Sequence, residues 1–223
     1  MNLEVVKKEI VMEQKYILTE ETKLVNGHTL HRIKAVRNFN DVKSGDLGGF
    51  VETEHNLSHE DNAWVYDNAK VYENAVVYGN TRVYGNAEVY GDAVVYRNAR
   101  VCGDAVVYGN ACVYRNAMVY DNARVFGDAM VCDNARVFGD AMVSGNAKVC
   151  ADAEVSSIAD YIVFKNWWSS GRYFTWTRSN DKWSVGCFYG SGEELIAKAY
   201  KDSETSGREY QRIVEYVETI KNL

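Results

Sequence analysis

Proline is absent from the 223 residues, and the chain also lacks a long hydrophobic run. Without proline there is no Pro-rich linker, so we expect the parts of the chain to be joined directly. No apolar run approaches the length of about eighteen residues that a transmembrane helix needs. No basic segment followed by an apolar segment stands at the N-terminus, so a signal peptide is not expected. These absences predict a soluble protein of the cytoplasm that does not act at a membrane.

Cysteine and histidine are few and are badly spaced for metal or nucleophile chemistry. The five cysteines lack CxxC spacing, and most replace a variable residue of the repeat described below, so we expect free thiols that act as small hydrophobic residues: Cys102, Cys112, Cys132, Cys150 and Cys187. In particular, we expect no bridge between Cys132 and Cys150, because in-register side chains keep their Cβ atoms at strand spacing, longer than a disulfide prefers.

All four histidines precede the repeat, at positions 28, 31, 55 and 59. His28 and His31 are three apart in a predicted strand and would point to opposite faces, so they do not form a metal pair. No phosphate loop or nucleophile elbow is present. We therefore expect no metal, no cofactor and no catalytic residues.

The net charge of -6 is divided evenly, with -3 before residue 62, -3 in 62–157 and zero after it. This distribution argues against a surface dedicated to nucleic acid.

Sixteen consecutive hexads fill residues 62–157 without an insertion, from NAWVYD at 62–67 to DAEVSS at 152–157. Valine holds its place in all sixteen hexads and alanine in fifteen, with Thr81 as the exception. A period of six is too short for helical repeats or propellers and predicts a β-solenoid. Valine and alanine should fill the interior. Pairs of Gly, Asp or Arg followed by Asn or Asp should mark the corners, because Asn and Asp tolerate left-handed backbone angles.

Read from the valine, the frame Val-Tyr-Gly-Asn-Ala-x closely resembles the hexapeptide repeat of left-handed parallel β-helices. The resemblance covers all of 62–157 and implies a triangular, left-handed coil of three hexads. Sixteen hexads then give about five coils and a rod of about 25 Å. Enzymes of this superfamily are trimeric acyltransferases with a histidine base beside an acyl-coenzyme A groove. Here the histidines precede the coils and no loop interrupts the hexads, so the resemblance does not carry that activity well.

Two flanking regions complete the chain, and the first spans residues 1–61. A short amphipathic stretch with Val5, Val6, Ile10 and Val11 is compatible with a helix, and Asn26-Gly27 predicts a β-hairpin. The segment 46–61 is expected to form a capping coil, because an open solenoid end would expose strand edges.

Residues 158–223 are predicted to form a ββαα module. Strands are expected at 172–178 and 182–189, a first helix capped at Ser191, and a second helix with a capping box that opens at Ser206. The segment WSSGRYFTW at 168–176 resembles modules attached to hexad-repeat proteins of bacteriophages and prophages. That resemblance implies a phage-type protein that acts in the cytoplasm of a bacterial host.

Side chains that point outward recur every eighteen residues, so the rod has three faces. The third face is almost wholly apolar and aromatic, which predicts an oligomer interface of Val76, Tyr78, Val94, Tyr96, Cys112, Tyr114 and Met130. Cover by residues 1–50 or by the C-terminal module is the alternative. The second face is mixed and suited to solvent. On the first face, arginines alternate with aromatic residues, which is compatible with nucleic-acid or nucleotide binding at Arg82, Arg100 and Arg136; a solvated face is the alternative.

Trp167 and Trp168 precede a predicted Ser-Ser-Gly loop, where both cannot be buried. Together with Arg172 they have the composition of a protein-binding hot spot; a lid over the last coil is the alternative. Together with the resemblance to phage modules, the sequence thus predicts a non-enzymatic, phage-type binding protein that self-associates or docks a host protein through its solenoid faces or its C-terminal module. Inhibition of a host defence enzyme by steric blocking is the most concrete form of this hypothesis. A self-associating scaffold and a hexapeptide-type acyltransferase are the other hypotheses.

Overall fold

A computed structural model describes residues 14–222, and the helix predicted around Val5 to Val11 lies outside the described residues. The first elements are strands β1 (Tyr16–Val25) and β2 (His28–Ala35), which pair antiparallel. The predicted hairpin turn is confirmed, since Asn26 and Gly27 both have positive φ, 50° and 90°. This is the geometry that an Asn-Gly turn favours.

The segment predicted as a capping coil forms the first coil of the solenoid. Strand β3 (Leu47–Val51) pairs antiparallel with β2 on one side. On its other side it pairs parallel with the repeat strand at Lys70–Val71. A short 3₁₀ helix (Glu54–Asn56) follows, and Leu57 bridges to Val77 of the next coil. The rod therefore has about six coils, one more than the repeat alone predicts.

Each hexad contributes one short strand, and strands three hexads apart pair in parallel to form the three faces. The first face consists of β4 (Trp64–Val65), β7 (Arg82–Val83), β10 (Arg100–Val101), β13 (Met118–Val119), β16 (Arg136–Val137) and β19 (Glu154–Val155). The second face adds β5 (Lys70–Val71), β8 (Glu88–Val89), β11 (Val106–Val107), β14 (Arg124–Val125) and β17 (Met142–Val143) to β3. The third face consists of β6 (Val76–Val77), β9 (Val94–Arg97), β12 (Cys112–Arg115), β15 (Met130–Val131) and β18 (Lys148–Val149).

The interior is the predicted one. All sixteen repeat valines are 0% exposed, and the repeat alanines are 0–1% exposed. Thr81 is also fully buried, and its hydroxyl donates to the Tyr78 carbonyl at 2.8 Å, which satisfies the one polar group in an alanine position. Small and β-branched side chains therefore fill the prism at the repeat positions.

The corners lie where the sequence predicts. The left-handed φ belongs to the first residue of each corner pair, as in Gly91 (74°), Arg97 (66°) and Asp121 (60°). The predicted reason therefore holds for Asp in the first position and not for the Asn or Asp that follows. At Gly91 a Cβ would lie 2.8 Å from the Gly109 nitrogen, so glycine relieves a close approach between coils. The Asn side chains instead form ladders: the Asn80 amide donates to the Asn98 Oδ1 at 3.1 Å, and Asn98 repeats the contact with Asn116 at 3.1 Å.

The N-terminal segment covers one end of the rod. Tyr16 and Phe39 pack edge-on against Trp64, with ring centroids 6.0 and 5.3 Å away, and leave Trp64 only 1% exposed. Lys15 is fully buried, and its Nζ donates to the carbonyls of Ala63 at 2.7 Å and Asp61 at 3.0 Å. Trp64, which the repeat places on the outer surface, is therefore part of the core at this end.

The C-terminal module has four strands rather than the predicted two: β20 (Tyr161–Lys165), β21 (Tyr173–Thr177), β22 (Lys182–Val185) and β23 (Phe188–Gly190). They form an antiparallel sheet in sequence order. The predicted strand at 182–189 breaks at Gly186, whose φ is 56°. Alternation of side chains along 182–189 predicts one continuous strand and gives no sign of this turn.

Two helices pack on the sheet, α1 (Gly192–Asp202) and α2 (Glu204–Ile220). The Ser191 cap is confirmed. The predicted start of α2 at Ser206 is wrong, because Ser203 is the N-cap and its Oγ accepts from the Ser206 nitrogen at 3.1 Å. Among residues 14–222 there is no helix with the length and hydropathy of a membrane span.

The module closes the last coil through polar contacts. The Glu154 nitrogen donates to the Ser179 Oγ at 2.7 Å, and the Tyr161 hydroxyl donates to the Met142 carbonyl at 3.0 Å. Strand edges that the last coil would leave unpaired are thereby partly satisfied.

Candidate functional site

The third face presents the apolar ladder that the sequence predicts. Val76, Val94, Cys112 and Met130 are register partners on successive coils, and each stays partly exposed. Beside them the rings of Tyr78, Tyr96 and Tyr114 stack with centroids 5.1 and 5.0 Å apart. The seven predicted interface residues thus form one continuous strip.

The described part of the chain leaves most of this strip open. Strands β1 and β2 extend the sheet of the second face instead, and Phe39 packs on the first face. The C-terminal module reaches the third face at its last strand, where Lys148 Nζ donates to the Gly186 carbonyl at 3.0 Å. Next to that contact, Met130 and Lys148 line a shallow groove of about 290 Å³.

A basic rim borders the tyrosine stack. Arg97 and Arg115 occupy left-handed corners, and each guanidinium lies 5.9 Å from the ring centroid of the preceding tyrosine. Arg115 is paired with Asp133, whereas Arg97 has no carboxylate partner among the described residues. The strip therefore has the anatomy of a docking surface, an apolar centre with a charged edge.

On the first face, the structure brings together two of the three predicted arginines. Arg82 and Arg100 are register partners and line a cavity of about 220 Å³ with Tyr66, Tyr84 and two aspartates, Asp41 and Asp67. Arg136 is apart from them and pairs with Glu154, with 3.4 Å between Nη1 and Oε1.

Sequence reasoning missed Asp41, because it comes from the N-terminal segment forty-one residues before Arg82. Asp41 Oδ1 lies 3.4 Å from Arg82 Nη2 and accepts a hydrogen bond from the Tyr66 hydroxyl at 3.0 Å. Burial, followed by this bond, raises the pKa of Tyr66 to about 12. Arg82 is thus partly neutralised within the chain.

The aromatic column of the first face is interrupted. Trp64 is buried, Tyr66 is held by Asp41, and the small Cys102 separates Tyr84 from Tyr120. Stacking in the described first-face column is therefore limited to Tyr120 and Phe138, with ring centroids 5.2 Å apart, which is shorter than the run of rings that single-stranded nucleic acid prefers. This geometry disfavours the nucleic-acid interpretation.

The three predicted hot-spot residues of the C-terminal loop, Trp167, Trp168 and Arg172, differ in how far they are buried. Trp167 is 76% exposed, and Arg172 is also exposed. Trp168 is half-buried and packs edge-on against Tyr210, with ring centroids 5.0 Å apart. Trp167 is therefore available to a partner, whereas Trp168 belongs largely to the core of the module.

Two of the four histidines, His28 and His31, lie in the N-terminal hairpin, and His55 and His59 lie in the first coil. His28 Nδ1 is 2.9 Å from Glu52 Oε1, and this bond raises the pKa of His28. His59 stacks on Tyr16 with centroids 4.2 Å apart, and its burial lowers its pKa. His28 and the exposed His55 line a shallow pocket of about 590 Å³ with Glu52 of the first coil and Glu73 of the next.

The prediction of free thiols at Cys132 and Cys150 is wrong, because these residues form a disulfide between coils. Their Cα atoms are 4.6 Å apart, within the range that a disulfide accepts. A Cβ separation near strand spacing does not exclude a bridge, because rotation about the two Cα–Cβ bonds turns the Sγ atoms towards each other. With Asp133 the pair is the one cluster of metal-ligand type in residues 14–222, but bonded sulfurs are not thiolate ligands.

The remaining cysteines are free, and they differ in exposure. Cys102 is buried, Cys112 is half-buried and Cys187 is exposed. Burial raises the pKa of the Cys112 thiol, so it is a weak nucleophile.

Comparison with known proteins agrees with the coil geometry. The family described as "YdcK Beta solenoid repeat" matches residues 81–97, 99–115 and 117–133, three stretches that begin eighteen residues, or one coil, apart. No curated protein matches the chain. The repeat match and the stacked parallel coils together identify this chain as a β-solenoid repeat protein.

Proposed function

We propose that this chain is a non-enzymatic binding protein that associates with a second copy through the third face and presents its C-terminal module to a protein partner. The observation that carries the proposal is the open apolar strip from Val76 to Met130, whose side chains point away from the rod's own core. Removing such a strip from water contributes about 25 cal/mol per Å², before the costs of association.

The test is the mass of the protein in solution. We expect wild type to be an oligomer by light scattering and Val94→Glu with Met130→Glu to be a folded monomer. The matched control is Val106→Glu with Met142→Glu, which makes the same two changes on the second face. Equal mass for wild type and the third-face variant would contradict the proposal.

A self-associating scaffold is the second candidate. Both ends of the rod are covered, by the N-terminal segment and by the C-terminal module, so coils are not free to stack end to end. Lateral association through the third face therefore favours a closed oligomer over a filament. Concentration-dependent filaments in electron micrographs would favour the scaffold instead.

The resemblance to hexapeptide-repeat proteins supports two further proposals, a left-handed coil and an acyltransferase activity. All four histidines precede the sixteen hexads, and no loop interrupts the hexads to form an acyl-coenzyme A groove, which speaks against the activity. Acetyl-coenzyme A turnover by the purified chain would overturn the non-enzymatic assignment.

For the partner we propose a host protein in the cytoplasm of a bacterium, and inhibition of a defence enzyme by steric blocking is the most concrete form. The support is the resemblance of residues 168–176 to phage and prophage modules. The exposed Trp167 is the candidate anchor. We expect stoichiometric capture of one protein from bacterial lysate, lost in Trp167→Ala and retained in Tyr216→Ala, a matched exposed aromatic on α2. Equal capture by both variants would show that Trp167 does not contribute to the interface.

A further inference from the structure

The C-terminal module contains a cleft of about 430 Å³ between its sheet and its two helices. Its volume lies within the range of small-molecule sites, about 300–1,000 Å³. Apolar walls are supplied by Val185, Phe188 and Leu195. No residue of the third face lines it, although Arg172 lines both this cleft and the groove beside Met130.

Two buried polar groups open onto the cleft without complete hydrogen bonding. Ser206 is 8% exposed, and its Oγ has no partner among the described residues. Tyr210 is 7% exposed; its hydroxyl accepts from the Asn166 amide at 3.1 Å but donates to no described acceptor. Both hydroxyls line the cleft and keep a hydrogen to donate, so they are suited to a ligand atom that accepts hydrogen bonds.

Charge around the cleft favours a single negative group. Arg172 and Lys198 line it together with Asp202, and none of the three forms an ion pair among residues 14–222. The first turn of α2, which begins at Glu204, also opens here and adds the positive end of the helix dipole. Glu204 and Asp202 limit the total charge that the cleft accepts.

We propose that this cleft binds a carboxylate carried on an apolar stem, the chemistry of a small carboxylic acid or of a peptide C-terminus. The carboxylate accepts from Arg172, Lys198 and the free hydroxyls of Ser206 and Tyr210. The stem lies against Phe188 and Leu195. One carboxylate matches the net single positive charge of the three unpaired side chains better than a phosphate dianion does.

The test is an NMR titration of the full ¹⁵N-labelled chain with phenylacetate, alongside 2-phenylethanol and inorganic phosphate. We expect saturable shifts of the Ser206 and Gly207 amides and of the Trp168 indole, which packs on Tyr210. The alcohol and phosphate should each bind at least about tenfold more weakly than phenylacetate. Acetyl-Leu-Phe as free acid should also bind, and its amide should not; the relative affinities of the two acids distinguish a small molecule from a peptide end.

Variants locate the site. Arg172→Ala with Lys198→Ala should weaken phenylacetate binding at least about tenfold, and both side chains are exposed, so the packing of the module is preserved. Lys201→Ala, another exposed lysine of α1, is the matched control and should bind as wild type does. Absence of saturable shifts, equal binding of acid and alcohol, tighter binding of phosphate, or unchanged binding by the double variant would overturn the proposal.

Discussion

At the scale of single residues, neighbouring positions of a hexad have opposite roles. Val107 is fully buried in the prism, whereas Val106 beside it points outward between Glu88 and Arg124 of the adjacent coils. The same residue type thus contributes to the core at one position and to the surface at the next. This alternation follows from the period of two along each short strand.

Val107→Asp should lower the free energy of unfolding by at least about 3 kcal/mol, because it buries an unpaired carboxylate. Val106→Asp is the matched control and should change it by less than about 1 kcal/mol. Urea denaturation monitored by circular dichroism measures both. Equal unfolding midpoints for the two variants would show that the interior frame is assigned wrongly.

The Cys132–Cys150 bridge joins two coils and closes a sequence separation of 18 residues. In the chain-entropy description such a loop contributes about 3 kcal/mol to stability. We expect peptide mapping without reductant to find the bridged peptide, and reductant to lower the unfolding midpoint of wild type but not of Cys132→Ser. Because disulfides are rare in a reducing cytoplasm, the state of these cysteines is tested in protein purified without reductant. Free thiols in that protein would show that the bridge does not form.

At the scale of elements, the N-terminal segment that packs on the first coil buries the amino group of Lys15, which disfavours its charged form. Burial of Lys15 lowers its pKa from 10.5 to about 8, so between these values the unfolded chain binds more protons than the folded one. Stability from this group therefore rises with pH across that window. Burial of Tyr16 raises its pKa, and above about pH 10 this works in the opposite direction, since the unfolded chain then loses protons that the folded one keeps.

We expect the urea midpoint of wild type to rise relative to that of Lys15→Met between pH 7.5 and 9.5. The comparison uses the slope with pH, so that any constant effect of the substitution cancels. Parallel slopes for the two proteins would mean that Lys15 titrates in the folded protein as it does in the unfolded chain.

The sequence predicts those elements whose signal is local. The hexad period determines the interior, and Asn26-Gly27 determines the hairpin, because each depends on residues close together in the chain. Contacts between distant segments were not predictable: Asp41 beside Arg82, the burial of Trp64 under Phe39, and the cleft around Ser206. The start of α2 was missed because two serines, Ser203 and Ser206, both offer caps, and packing selects the first.

At the scale of the whole molecule, the rod combines three surfaces of different chemistry. The N-terminal hairpin continues the second face, and the first face is partly neutralised by Asp41. The C-terminal module covers the last coil and carries its own cleft. Residues 14–222 leave most of the third face open, which makes this face the surface on which the proposed self-association depends.

The most direct test of that account is the reactivity of Cys112, which lies in the middle of the apolar strip and has a free thiol. Alkylation at limiting reagent, read by mass spectrometry, should be slower for Cys112 in wild type than in Val94→Glu with Met130→Glu, and dilution of wild type should remove the difference. The exposed Cys187 is an internal control and should react equally in both proteins. The same Cys112 rate in both proteins at every concentration would contradict the claim that the third face is an interface.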